Sequence, residues 1–235
     1  KTTVARRMGE LYQLLDLLPS SEVVQTTAAD LTTGYVGQAR KQTRKIFESA
    51  LGKVLFIDEA YGLNPKVGGQ FVGEAVDEMV AILTDEKFKG KMLLILAGYD
   101  NDMEQMLLTN AGLKSRIPGK ILFDAFDAPA TVELLRLVLH KRGLPIDGSV
   151  TPMVLHDMAQ ELVDAPNFAN GRDVNTWSDF IYRIAASVSA KSSDEGASTD
   201  TASLECLRTA LDAFLAARAS PSTPQATLSA PPPMA

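Results

Sequence analysis

Apolar positions along the chain recur with two alternating periods. Val4, Met8, Leu11, Leu15 and Leu18 return at helical spacing and Pro19 closes the segment, which predicts a helix over Val4–Leu18. Glu22–Thr26 is a short β-rich run around Val23 and Val24, and Ala28–Gly37 reads as a polar loop. Gln38–Leu51 is a basic amphipathic helix with Ile46, Phe47 and Ala50 on its apolar face. Val54-Leu55-Phe56-Ile57 is too short for a helix, rich in β-formers, and ends abruptly in Asp58-Glu59. A buried parallel strand reads this way, and its carboxyl end opens where α/β proteins bind ligands.

The alternation continues. Tyr61–Gly69 is loop-like, Phe71–Leu83 helical, Lys87–Lys91 a turn, and Met92–Ala97 a second continuous apolar strand. Asn101–Thr109 predicts a short helix and Ile121-Leu122-Phe123 a third buried strand. Strands alternating with helices imply a parallel sheet in a three-layer α/β core over residues 1–126. The pattern changes at Asp127-Ala128-Pro129. Helices are expected over Ala130–Arg142, over Pro152–Val163 with Thr151 as N-cap, and over Gly171–Ala190, giving a small all-helical domain at 127–190. Residues 191–202 form a polar linker, and 203–218 a last helix with Leu204, Leu207, Leu211 and Leu215 on one face. The Pro/Ser/Ala-rich tail at 219–235 is expected to be disordered.

Composition narrows the class. Of 235 residues, 46% are hydrophobic, enough for a real core, and the net charge of −6 argues against broad electrostatic binding to nucleic acid. The one cysteine, Cys206, excludes an intrachain disulfide framework and a cysteine-built zinc site. His140 and His156 sit inside helical patterns, as packing or surface histidines do. No apolar run is long enough to cross a bilayer. The chain begins with Lys rather than Met, inside what looks like a motif, so it is expected to be a fragment whose targeting signal is not readable.

The candidate chemistry lies at two places. Lys1-Thr2-Thr3 looks like the tail of a phosphate-binding glycine loop, matching the last positions of G-x-x-x-x-G-K-[ST]. There the Lys neutralises phosphates and the hydroxyl ligates Mg²⁺. Alone the dipeptide means little, but a helix follows at once and the Asp58-Glu59 strand end comes about 55 residues on. Asp58 would hold Mg²⁺ with Thr2, since a hard cation takes oxygen ligands, and Glu59 would polarise an attacking water. The bland alternative for Asp58-Glu59 is a solvated acidic strand end.

Gly34-Tyr35-Val36-Gly37, Phe47-Glu48-Ser49-Ala50 and Val54 to Tyr61 together resemble the AAA+ ATPases. Ile95-Leu96-Ala97-Gly98-Tyr99, Asn110 to Ile117 and Phe168-Ala169-Asn170-Gly171-Arg172 resemble their CbbX/CfxQ branch, which includes rubisco-activase-type and stage V sporulation protein K relatives. The resemblance covers about residues 1–190, with its motifs in order. It implies a P-loop NTPase core followed by a helical lid, ATP and Mg²⁺ as ligands, and assembly into a ring, a hexamer, that pulls on a protein substrate. By the same resemblance Lys1, Thr2, Thr3, Asp58 and Arg172 would bind nucleotide, with Arg172 as sensor 2. Glu59 and Arg116 would be catalytic, Arg116 as the arginine finger with Lys114 the nearby alternative. Tyr35, Val36 and Gly37 would form the substrate-gripping pore loop, and Asn101 or Tyr99 would serve as sensor 1. A surface role for Arg116, and an ion pair between Arg172 and Asp173, are the plainer readings of those two.

The upstream glycines of the phosphate loop and the strand before it are missing from the sequence, so the function is expected to belong to a longer parent. A non-hydrolysing nucleotide-binding scaffold and a nucleic-acid-dependent motor are the alternatives. An intracellular, cytoplasmic protein with no membrane partner is expected, and nucleic acid is not expected to be a partner.

Overall fold

The structure is a computed structural model that describes residues 1–32, 37–69, 71–191 and 201–219. It divides into two compact units, 1–122 and 123–235.

In the first unit, α1 (Thr2–Leu14) leads to β1 (Val23–Thr27), α2 (Ala28–Leu31), α3 (Gln38–Ser49) and β2 (Val54–Asp58). A 3₁₀ turn (Ala60–Leu63), α4 (Pro65–Gly68), α5 (Val72–Thr84), β3 (Leu93–Leu96), α6 (Asp100–Thr109) and α7 (Ala111–Lys114) follow. The three strands are parallel in the order β1-β2-β3, with Val23, Val54 and Leu93 in register. Parallel neighbours require crossovers, and α3 and α5 supply them.

Side chains alternate across β2, so the two faces carry different partners. Leu55 and Ile57 pack with Phe47, Val76, Met79 and Ile82 of α3 and α5. Phe56 packs on the other face with Ala5 of α1 and with Ala97. The expected three-layer arrangement is therefore present, with β2 fully buried up to Asp58.

Three sequence expectations need correction. Ile121-Leu122-Phe123 is not a strand: the run is irregular and its side chains are 53–63% exposed. No strand lies beside it among the described residues, and an apolar run cannot form a ladder alone. The helix predicted to Leu18 ends at Leu14, and Asp16 turns left-handed at φ 55°. The predicted loop at Ala28 begins with a helical turn, because Thr27 and Asp30 form a reciprocal capping box.

The second unit comprises α8 (Ala128–Lys141), α9 (Pro152–Val163), α10 (Gly171–Lys191) and α11 (Leu204–Ala219). Asp127 and Thr151 cap α8 and α9 through their side chains, each with Pro in the first turn. Leu139, Leu155, Trp177, Leu207 and Leu211 form one core, so α11 is an integral part of this helical unit. No described helix is long and apolar enough to cross a membrane.

Candidate functional site

The carboxyl ends of the three parallel strands lie side by side, and Lys1, just before α1, contacts the second residue beyond β3. Two contacts fix the direction of α1 over β2. A Cβ on Gly9 would lie 3.3 Å from Val54 Cγ2, and Ala5 packs on Phe56. Four helical residues rise about 6 Å and two strand residues about 6.6 Å, so the helix runs antiparallel to the strand in step with it. Extended by one step, that pairing points the Lys1–Thr2 end of α1 toward the end of β2, where Asp58 shares Phe56's face of the sheet.

Lys1 reaches across to the neighbouring strand end. Its Nζ donates to the Gly98 carbonyl at 2.7 Å and stands 5.1 Å from the centre of the Tyr99 ring. Tyr99 in turn stacks on Tyr61, with centroids 6.0 Å apart. A Cβ at Gly98 would meet Met103 Sδ at 2.6 Å and the Tyr61 ring at 3.1 Å, so a larger residue there would displace the Met103 side chain. Burial raises the Tyr61 phenol above its ordinary pKa, and the Glu59 charge adds to that effect. Among the described residues the Lys1 ammonium has no carboxylate partner, so its charge remains available to an anion.

Asp58 is half-buried at the tip of β2, and its Oδ1 accepts from the Glu59 N–H at 2.9 Å. The Ala60 N–H bonds the Ala97 carbonyl at 2.8 Å, tying the turn after β2 to the end of β3. Glu59 between them sits in the left-handed region at φ 51°. Its carboxylate is exposed and unpaired among the described residues. Thr2 is partly buried and Thr3 exposed.

The other site candidates stand apart from this cluster. Tyr35 and Val36 lie outside the described residues. Gly37 caps α3 in the left-handed region at φ 77°, and its N–H donates to Glu74 Oε2 at 3.0 Å. Tyr99 is beside Lys1, whereas Asn101 is exposed on α6. The Arg116 guanidinium folds onto its own turn, donating to the Gly112 carbonyl at 2.8 Å and to Ser115 Oγ at 3.2 Å. Its Nε is buried without a partner, while Lys114 is exposed. Arg172 belongs to the second unit, exposed in the first turn of α10. The suspected Arg172–Asp173 pair does not form, because Asp173 pairs with Arg218. Sequence reading missed Gly98 as a ligand of Lys1 and missed Arg218 altogether. A glycine directly after an apolar strand was the available signal for the first, and nothing local marks the second.

The donor set fits a magnesium-bound phosphate chain: one ammonium free of carboxylates, a threonine at a helix N-terminus, and two carboxylates at one strand end. The glycines that would complete a phosphate cradle are not among these residues.

Residues 1–125 match the ATPase family associated with various cellular activities (AAA). The chain is 35% identical to stage V sporulation protein K of Bacillus subtilis, over 60% of its own length and 44% of the relative's. It is 27% identical to the chloroplastic ribulose bisphosphate carboxylase/oxygenase activase of Cyanidioschyzon merolae, over 74% of the chain and 59% of the relative. It spans 24% to 59% of the length of such curated relatives. Its fold matches a crystal structure of the FIGL-1 AAA domain in complex with ADP, with a TM-score of 0.54 at 19% identity, covering 82% of this chain and 66% of that one.

Proposed function

The chain belongs to the AAA ATPase family, with relatives of the CbbX/CfxQ kind, and from that premise we propose that it binds and hydrolyses ATP with Mg²⁺ as part of a ring that remodels a protein substrate. One observation supports the reading: α1 runs antiparallel to β2, with Gly9 beside Val54 and Ala5 on Phe56, which directs its Lys1–Thr2 end toward the strand end that bears Asp58.

Bound Mg²⁺ supplies charge neutralisation for the phosphates. Lys1 exchanges its Gly98 carbonyl for a phosphate oxygen, Thr2 and Asp58 offer oxygen ligands, and Arg172 contacts the phosphates as a sensor of nucleotide state. Glu59, exposed on its turn, accepts the proton of the attacking water. Arg116 acts on the nucleotide of a neighbouring copy, and its buried unpaired Nε supports a side chain that finds better partners elsewhere. The remodelling role and the pore loop at Tyr35, Val36 and Gly37 rest on likeness to the activase and sporulation relatives. Gly37 anchored on Glu74 gives that loop a fixed end.

The test is ATP turnover by the full-length protein. Glu59→Gln is expected to lower kcat by about 100-fold or more while Mg-ATP binding persists. Absence of turnover in the assembled wild type would instead favour a nucleotide-binding scaffold. Arg116→Ala should lower kcat by about 1,000-fold with little change in ATP affinity, read by turnover alongside a binding titration. Stimulation by DNA or RNA but not by a polypeptide would point to a nucleic-acid motor.

A further inference from the structure

The segment from Asp164 to Asn170 leads into α10 and sets the direction in which its first turn, with Arg172, leaves. Asn167 and Asn170 hold left-handed backbones at φ 58° and 56°, a conformation asparagine enters readily and the surroundings here fix. Three side chains do so. Asn170 Oδ1 accepts from the Phe126 N–H at 2.6 Å, and Asp173 Oδ2 accepts from the Ala169 N–H at 2.8 Å. Arg218, in the last turn of α11, pairs with Asp173 and donates to the carbonyls of Pro166 at 2.6 Å and Asn167 at 2.7 Å. Its guanidinium also lies 5.6 Å from the centre of the Phe214 ring.

The Asp173 side chain is only 10% exposed, so its charge needs a partner. Arg218 provides it, and Arg172 keeps its guanidinium exposed, with no side-chain partner among the described residues. The task needs arginine. A planar fork of donors can span a carboxylate and two carbonyls together, whereas a lysine ammonium is a single point.

We propose that Arg218 is a positioning residue for Arg172. By neutralising Asp173 and clamping the carbonyls of Pro166 and Asn167, it fixes the first turn of α10 and leaves the Arg172 guanidinium free for nucleotide phosphates. The proposal rests on the nucleotide-contact role of Arg172 stated above. It makes nucleotide affinity depend on α11, a helix remote from Arg172 in sequence.

The experiment measures Mg-ADP affinity, with KM and kcat for ATP, in the full-length protein. The variants are Arg172→Ala, Arg218→Ala, Arg218→Lys and the Arg172→Ala/Arg218→Ala double variant, each checked by thermal melting. Each alanine variant is expected to weaken Mg-ADP binding by about fivefold or more, and the double variant to bind no more weakly than Arg172→Ala alone. Arg218→Lys should recover part of the loss, since it neutralises Asp173 without holding both carbonyls. Wild-type affinity in Arg218→Ala, or losses that multiply in the double variant, would overturn the positioning role alone. Wild-type affinity in Arg172→Ala would remove the contact role of Arg172 and this proposal with it. Should Arg218→Ala fail to fold, Arg218→Gln keeps the stem and a donor amide but removes the charge that neutralises Asp173. A loss in the same direction supports the proposal, and unchanged affinity overturns it.

Discussion

Glu59 holds a left-handed backbone that favours glycine and asparagine, and it does so at the mouth of the sheet. Glutamine keeps the side-chain length and shape there, so Glu59→Gln is expected to melt within a few degrees of the wild type. Glu59→Val, β-branched at φ 51°, should lose about 1–3 kcal/mol of stability by denaturant titration. Asp30 offers a pH test. Hydrogen bonds from the Thr27 hydroxyl and N–H hold its pKa below the ordinary 3.8. A carboxylate lowered on folding contributes stability above its unfolded pKa and loses it as pH falls through the folded one. The melting-temperature gap between wild type and Asp30→Asn should therefore be constant near neutrality and close only below about pH 4. A gap that is already closed at pH 6 would show that the cap contributes nothing.

At the scale of elements, α1 approaches the chain so closely that Gly9 has no room for a methyl group: a Cβ would stand 2.6 Å from the Ser21 carbonyl oxygen. Gly9→Ala gains about 1 kcal/mol of helix propensity yet is expected to destabilise by about 1–3 kcal/mol, because backbone must move. Circular-dichroism melts decide the sign. Sequence pattern sufficed for β2 and β3, because continuous apolar runs bounded by polar turns have few other uses. It also placed Asp58 at a strand end, because the apolar run stops there. The same rule failed at Ile121-Leu122-Phe123, since strand formation depends on a neighbour that no local pattern encodes. The Lys1–Gly98 bond spans 97 residues, and Arg218 meets Asp173 across 45. Such pairs are set by how elements pack, so neither spacing nor composition announces them.

Across the whole molecule, the two units have separate cores, one around Leu55 and Met79 and the other around Leu139, Trp177 and Leu207. Separate cores are expected to unfold in separable transitions. Leu55→Ala and Leu207→Ala should each cost about 2–5 kcal/mol, but in different units. Urea titrations followed by far-ultraviolet circular dichroism and by indole emission should tell them apart, since only Leu207→Ala would shift the emission midpoint. A common shift in both variants would mean that the units unfold as one. Trp177 is the chain's one tryptophan, fully buried, with its Nε1 donating to the Leu207 carbonyl at 3.3 Å. A purified batch could therefore pass a fluorescence check for integrity while the half bearing Asp58 and Glu59 has already melted.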